Sequence, residues 1–439
     1  MVFRLRFRRR CLRCLGPIMV AIFLLSSYVF FLGVPSSSLA DKLQQFQPVG
    51  KPGAQEFDNI RKQGSISAVA SQIHELEKIQ NVQKQLVENE RKKRQNLIVV
   101  AHGRSGSSFT GNIFNYHPSV FYLFEPYQTV ERLHGGVAPF NRDYQEKSFE
   151  WMQGVFQCKF VSPKHAKDIE HYYRTVTRNY PRDEQASIAL SSPPFCRYNV
   201  TDPRWNIKDC RGAFDQKTLE EICQKKYSMT VVKALMVRMP NNSVGQLINV
   251  CDSSDDIDCK LLFVVRDPRG IVPSSKVANF YRETDKNGLT GTKKFAYENC
   301  RQTEFNLNIT KQLPPKWRNR VKLLRFEDLS ANPSKILPGL LQFAGLPMDE
   351  AVSNWLYLAS HKPETEREQK AAKWRQDSAE RANRWRLKAP PDEISIVERY
   401  CGRLMKVLGY KPLGNSFELQ KNLSVALYKD NFEAVRWFE

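Results

Sequence analysis

The sequence predicts an α/β fold: a parallel sheet flanked by helices, preceded by one transmembrane helix and a stem. Three observations carry that expectation. Leu97-Ile98-Val99-Val100-Ala101 is a short, β-branched apolar run that reads as a buried parallel strand. A small-residue turn, His102 to Ser108, follows it, and Phe109 to Tyr116 then carries apolar residues at helical spacing, with Ser107 or Ser108 as the N-cap. A second strand-turn-helix unit recurs at Leu261 to Lys276, and strand-like and helix-like stretches alternate around both.

Taken from the start, residues 1–13 hold six arginines (positions 4, 6, 8, 9, 10 and 13) and no acid. Residues 14–34 carry no charge, and 21 residues at about 1.5 Å each cross a hydrocarbon core of roughly 30 Å. The arginine cluster keeps that end in the cytosol, which makes 14–34 a type II signal anchor and places the bulk of the chain in the secretory lumen. A cleaved signal peptide competes, with Ser36-Ser37-Ser38-Leu39-Ala40 as its cleavage site, but its apolar core should span only about 7–15 residues. Residues 35–95 read as a stem. Its first half is too polar to pack a core. From Val69 the positions Ile73, Leu76, Ile79, Val82 and Leu86 recur every three or four residues, either as a short coiled coil forming a homodimer or as a helix lying on its own catalytic domain.

Residues 96–439 suit one large α/β domain, with no linker-like stretch dividing them. Strands are expected at Val120–Phe124, Met229–Ala234, Lys260–Arg266 and Arg320–Phe326, and helices at Lys217–Lys226, Lys335–Phe343 and Glu393–Leu408. Residues 131–212 hold the most irregular, aromatic and proline-rich sequence and read as an insertion shaping an acceptor site.

Eight of the ten cysteines lie beyond the anchor, an even set that implies disulfides, with Cys251 and Cys259 the most plausible local bridge. No cysteine pair has zinc-ligand spacing with a matching partner pair, so no metal is expected. Asn199, Asn241, Asn308 and Asn422 open N-glycosylation triplets, each of which also suits an ordinary turn. The net charge is +21; setting the six cytosolic arginines aside leaves 61 basic against 46 acidic residues, a lumenal excess of +15. Such a surface concentrates polyanions. In the lumen these are an acidic glycan and an anionic nucleotide rather than nucleic acid.

The strand, small-residue loop and helix N-terminus at 96–116 together form an anion site, because backbone N–H groups and the positive dipole end converge there. Arg104 adds a permanent charge that forks onto phosphate or sulfate. The bland alternative is a βα-turn that binds nothing. A Walker A loop requires Gly-Lys-Ser or Gly-Lys-Thr, whereas this P-loop-like turn offers Gly106-Ser107-Ser108; that opposes a lumenal kinase using ATP and magnesium. At the second unit, Arg266 and Ser274 supply a charged fork and a hydroxyl to one phosphate, at a strand's carboxyl end where open α/β sheets bind ligands. Asp267 also suits a plain helix cap.

Arg104-Ser105-Gly106-Ser107-Ser108-Phe109, followed by Phe121 to Pro126, resembles the 5′-phosphosulfate loop of the Golgi carbohydrate 6-O-sulfotransferases. Arg266-Asp267-Pro268-Arg269 with Ser274 resembles the 3′-phosphate site of the same enzymes. The resemblance implies the sulfotransferase fold, 3′-phosphoadenosine 5′-phosphosulfate (PAPS) as sulfate donor, its desulfated product PAP, and a Golgi membrane enzyme with a lumenal catalytic domain. It spans about Asn96 to the C-terminus and is poor over 131–212. Leu324 to Leu329 resembles a strand end whose acids brace the site, with Phe326 in place of tyrosine. Ser378-Ala379-Glu380 with Trp385 and Arg386 resembles a C-terminal loop over the nucleotide, although the residues between depart from the pattern.

On this reading Arg104 and the N–H groups of Ser105 to Ser108 hold the sulfuryl end of the donor by preorganised electrostatics. Glu125, at the end of the second strand, is the general base. Burial should raise its proton affinity and Arg104 oppose that; the alternative is that Glu125 merely holds Arg104 in place. His102 is expected to be exposed and His117 to stop a helix, while Lys233 and Arg238 are candidates for meeting an acidic glycan. The implied acceptor is the 6-hydroxyl of galactose or N-acetylgalactosamine in a chondroitin- or keratan-type chain, with N-acetylglucosamine second. A non-catalytic glycan-binding protein is the remaining alternative.

Overall fold

The computed structural model describes residues 93–179, 186–200, 202–212, 214–285, 288–361 and 378–434. The expected anchor and nearly all of the stem lie outside the described residues, among which no helix is long and apolar enough to cross a membrane. Five strands form one parallel sheet: β1 (Arg94–Ala101), β2 (Val120–Phe124), β3 (Met229–Leu235), β4 (Ile257–Val265) and β5 (Val321–Arg325), in the order β2-β3-β1-β4-β5. Leu97–Ala101 and Leu261–Val265 are wholly buried because helices cover both faces of a parallel sheet, which explains runs that are apolar without alternation. All four expected later strands form. The first begins two residues before Asn96, at Arg94, whose guanidinium donates to the Tyr227 carbonyl and to Thr230 Oγ1 at 3.1 Å.

The helices are α1 (Ser107–Asn115), α2 (Tyr127–His134), α3 (Arg142–Gln157), α4 (Pro163–Asn179), α5 (Gln216–Lys225), α6 (Val244–Cys251), α7 (Pro268–Val277), α8 (Thr290–Lys311), α9 (Phe326–Ala331), α10 (Pro333–Ala344), α11 (Glu350–Ser360), α12 (Ser378–Lys388), α13 (Pro391–Val407) and α14 (Phe417–Lys421). Residues 131–212 correct the expectation of an irregular insertion, since α3 and α4 fill much of it. Asn141 caps α3 by accepting the Tyr144 N–H, and Tyr144, Trp151, Met152, Val155 and Phe156 bury one helical face. The eight cysteines beyond the expected anchor pair as Cys158–Cys223, Cys196–Cys210, Cys251–Cys259 and Cys300–Cys401. The second joins two loops, and the last ties α8 to α13.

The sheet order also fixes where a ligand can sit. From β1 the chain leaves toward β2 on one side of the sheet, whereas from β4 it continues to β5 on the other. Neighbouring strands whose connections diverge leave a crevice between their carboxyl ends. Ala101 stands opposite Val264, so the loops after β1 and β4 open side by side at that crevice.

Candidate active site

The loop after β1 is shaped by Gly106. Its φ is +87°, and a Cβ there would lie 2.1 Å from Phe326 Cδ2, so both conformation and space exclude a side chain. Gly106, not Ser107 or Ser108, is the N-cap of α1, without any side-chain capping bond. The first helical bond runs from Thr110 N–H to the Gly106 carbonyl at 3.0 Å. The N–H groups of Ser107, Ser108 and Phe109 therefore have no intrahelical acceptor and point outward at the helix's positive end. Ser105 is buried, its hydroxyl donating to the His102 carbonyl at 2.8 Å, so its side chain holds the loop. Phe109 likewise belongs to the core, its ring lying between Phe326 and Trp355.

The two loops touch. Arg104 is exposed with φ +67°, and its Nε donates to Ser274 Oγ at 3.0 Å. Arg266 Nη1 donates to the Arg104 carbonyl at 3.0 Å and its Nη2 to the Arg381 carbonyl at 2.8 Å, with the guanidinium 5.1 Å from the centre of the Phe326 ring. Burial lowers the pKa of Arg266. Among the described residues, its buried Nε and the hydroxyl of Ser275 find no hydrogen-bond partner.

Behind the crevice Asp267 caps α7 and binds Arg269, whose buried guanidinium also reaches Glu398 and the Lys411 carbonyl. Glu327 accepts the Asp267 N–H at 3.1 Å and the Tyr410 hydroxyl at 2.7 Å, and burial raises its pKa. The expected brace is present in that carboxylate. Trp385 is buried over Arg269, 4.8 Å from the guanidinium, and a Cβ on Gly270 would lie 3.0 Å from its ring. Arg386 is a correction. Its guanidinium donates to the carbonyls of Leu419, Gln420, Asn422 and Val425, which fastens the C-terminal segment and leaves no fork for a nucleotide.

Glu125 is held at φ +46° and buried. Lys233 donates to its Oε1, while Arg238 Nη1 and Gln128 Nε2 each lie 2.8 Å from its Oε2. The expected partner Arg104 does not contact it: Lys233 stands opposite both Phe124 and Val99, so β3 separates the β2 end from β1. Burial pushes the Glu125 carboxyl up, but Lys233 and Arg238 outweigh it and hold the pKa below its ordinary value, opposite to the expectation. Lys233 is buried and committed to Glu125, so it is not a surface contact for a glycan. A lysine inside the apolar run Val231-Val232-Lys233-Ala234 demands a buried counter-charge, and that signal was available in the sequence.

His102 is buried rather than exposed, and burial lowers its pKa to about 4. His117 accepts the Ser119 N–H just beyond the end of α1, consistent with a helix stop. The four glycosylation-triplet asparagines, 199, 241, 308 and 422, are all exposed. Among the described residues no group of three or more His, Cys, Asp or Glu could hold a metal. A cleft of about 470 Å³ lined by Pro163, Lys167, Phe214 and Lys217 shares no residue with either loop; a polyanion site is defined by its donors rather than by open volume.

The chain belongs to the sulfotransferase family, whose sequence pattern matches residues 96–350. The relatives it is similar to are carbohydrate sulfotransferases. Carbohydrate sulfotransferase 1 of Danio rerio is 29% identical over 367 residues, which cover 76% of this chain and 82% of that protein. Carbohydrate sulfotransferase 6 of Homo sapiens is 28% identical, covering 76% and 85%, and carbohydrate sulfotransferase 3 of Homo sapiens is 25% identical, covering 77% and 71%. Among solved structures, retinol dehydratase in complex with androsterone and inactive cofactor PAP aligns with 72% of this chain and 81% of its own at 12% identity, with a TM-score of 0.33.

Proposed function

We propose that the chain transfers sulfate from PAPS to the 6-hydroxyl of galactose or N-acetylgalactosamine in a chondroitin- or keratan-type glycan, as a single-pass Golgi enzyme facing the lumen. The observation that carries the donor reading is the junction of the two loops, in which Arg266 reaches the Arg104 backbone and Arg104 reaches Ser274. Cationic forks so close together suit the two ends of one small, multiply charged molecule. The unpartnered Arg266 Nε and Ser275 hydroxyl are unmet polar groups that an added phosphate would satisfy.

In this assignment Arg104 and the first N–H groups of α1 bind the 5′-phosphosulfate, while Arg266 and Ser274 bind the 3′-phosphate. Trp385 acts through Arg269 and Gly270 by packing behind that phosphate's loop. The sulfur–oxygen bond to the donor phosphate breaks as one to the acceptor oxygen forms, and the acceptor's proton passes to the Glu125 carboxylate. Charge building on the leaving phosphate oxygen is met by donors already aimed at it, the kind of term that dominates many enzymes. Glu125 is kept ionised by its cations, so its oxygens carry no proton and can take one, at a basicity those same cations lower; base assistance is worth about 10²–10⁴-fold. Arg104 and Glu125 both sit at positive φ, an uncommon conformation for side-chain-bearing residues that clusters at active sites.

Incubating the purified full-length protein with ³⁵S-labelled PAPS and desulfated chondroitin, keratan and N-acetylglucosamine-terminated chains tests the reading. Label should appear at the 6-position of galactose or N-acetylgalactosamine. Label confined to N-acetylglucosamine overturns the sugar assignment, and no transfer to any chain overturns the reading.

A further inference from the structure

Arg238 lies just beyond β3 and is anchored on both sides by carboxylates. Its Nη1 is 2.8 Å from Glu125 Oε2 and its Nε 2.8 Å from Glu131 Oε2, and the Tyr144 hydroxyl donates to its backbone carbonyl at 2.8 Å. These bonds fix the plane of the guanidinium and use two of its five N–H groups; among the described residues no acceptor faces Nη2. The side chain is 23% exposed beside a Glu125 that is only 6% exposed, so the open edge of Arg238 is the cationic surface nearest the base. Lys233, the other cation on Glu125, is 4% exposed and cannot meet a ligand without leaving its partner.

We propose that Arg238 is a specificity-determining residue that binds an anionic group on the acceptor, a carboxylate or an existing sulfate, close to the hydroxyl offered to Glu125. This inference rests on the sulfotransferase reading given above. A planar fork suits either anion, and its attachment to Glu125 ties recognition of the acceptor's charge to placement of the base. The fixed guanidinium has little rotamer freedom left to lose on binding. The overall basic excess would attract any polyanion, whereas Arg238 requires one anion at one place.

Three acceptors separate the possibilities: a desulfated keratan chain, which is neutral; a partially sulfated keratan, which carries sulfate only; and unsulfated chondroitin, which carries carboxylate only. For the wild-type protein kcat/KM on at least one acidic acceptor should exceed that on the neutral chain by about tenfold or more, and the arm that wins names the anion. In Arg238→Gln this acidic-to-neutral ratio should fall to about 1, chiefly through KM, and Arg238→Lys should recover part of it. A variant that slows all three acceptors by the same factor marks Arg238 as a support for Glu125 alone and overturns the proposal. So does a wild-type ratio of 1 or below, which keeps the test decisive if Arg238→Gln does not fold. PAP binding by calorimetry, run in parallel, reports separately on the donor reading: PAP bound with no acidic preference sinks only Arg238.

Discussion

At Glu125 a carboxylate sits among two cations and an amide, every partner a donor, so its ionised form is the stable one. Glu125→Gln should therefore keep PAP affinity within about twofold and lower turnover by about 10²-fold or more, measured by calorimetry and initial rates. Full activity in that variant would remove the base assignment. The acidic residue itself was legible as the end of a strand run, but its environment was not, because its cations come from β3 and the turn after it, more than 100 residues away. Arg104 was the wrong partner for the same reason: adjacency in sequence says nothing about β3 lying between. His102 offers a second residue-scale expectation. Buried and neutral, it has a pKa of about 4 against an ordinary 6.5, so its contribution is complete above pH 6.5 and is lost as pH falls toward 4. Wild-type stability should drop by up to about 1.4 kcal/mol per pH unit more steeply across that window than that of His102→Gln, read by urea unfolding at several pH values. Parallel slopes would contradict it.

The elements show what local pattern carries and what it does not. Strands β1 and β4 announced themselves because helices on both faces leave no polar positions in Leu97–Ala101 or Leu261–Val265. Helix α3 was obscured by the aromatic character of its stretch, although Tyr144, Ser148, Trp151, Met152 and Val155 do recur at helical spacing. The cap of α1 was misjudged because serines beside a helix start are common caps, whereas the deciding contact, the Phe326 ring against Gly106, is made by an element 220 residues further on. Gly106→Ala should accordingly destabilise the domain by about 2–5 kcal/mol, combining left-handed strain with a clash that the buried ring cannot relieve. Denaturant midpoints measure this, and a loss below about 0.5 kcal/mol would show that the loop tolerates a Cβ. Arg386 carries the opposite lesson: a motif-like residue turned out to bind four carbonyls of the chain's own C-terminal segment.

Across the whole molecule, one topological fact positions the chemistry. Strands β1 and β4 are neighbours with connections that diverge, so two loops 162 residues apart in sequence come within one hydrogen bond of each other. Their separate motifs were readable; their direct contact through Arg104, Ser274 and Arg266 required the sheet order. The basic excess of the chain raises the local concentration of anions around this crevice but does not select among them. Selection belongs to the fixed forks. The most direct measurement is therefore calorimetric titration of the folded protein with PAP, for the wild type and for Arg104→Ala and Arg266→Ala. The wild type should bind one PAP per chain, and each substitution should weaken binding by about tenfold or more, since each removes a charge-assisted fork. Undetectable binding by the wild type, or unchanged affinity in both variants, would contradict a donor site built from these two loops.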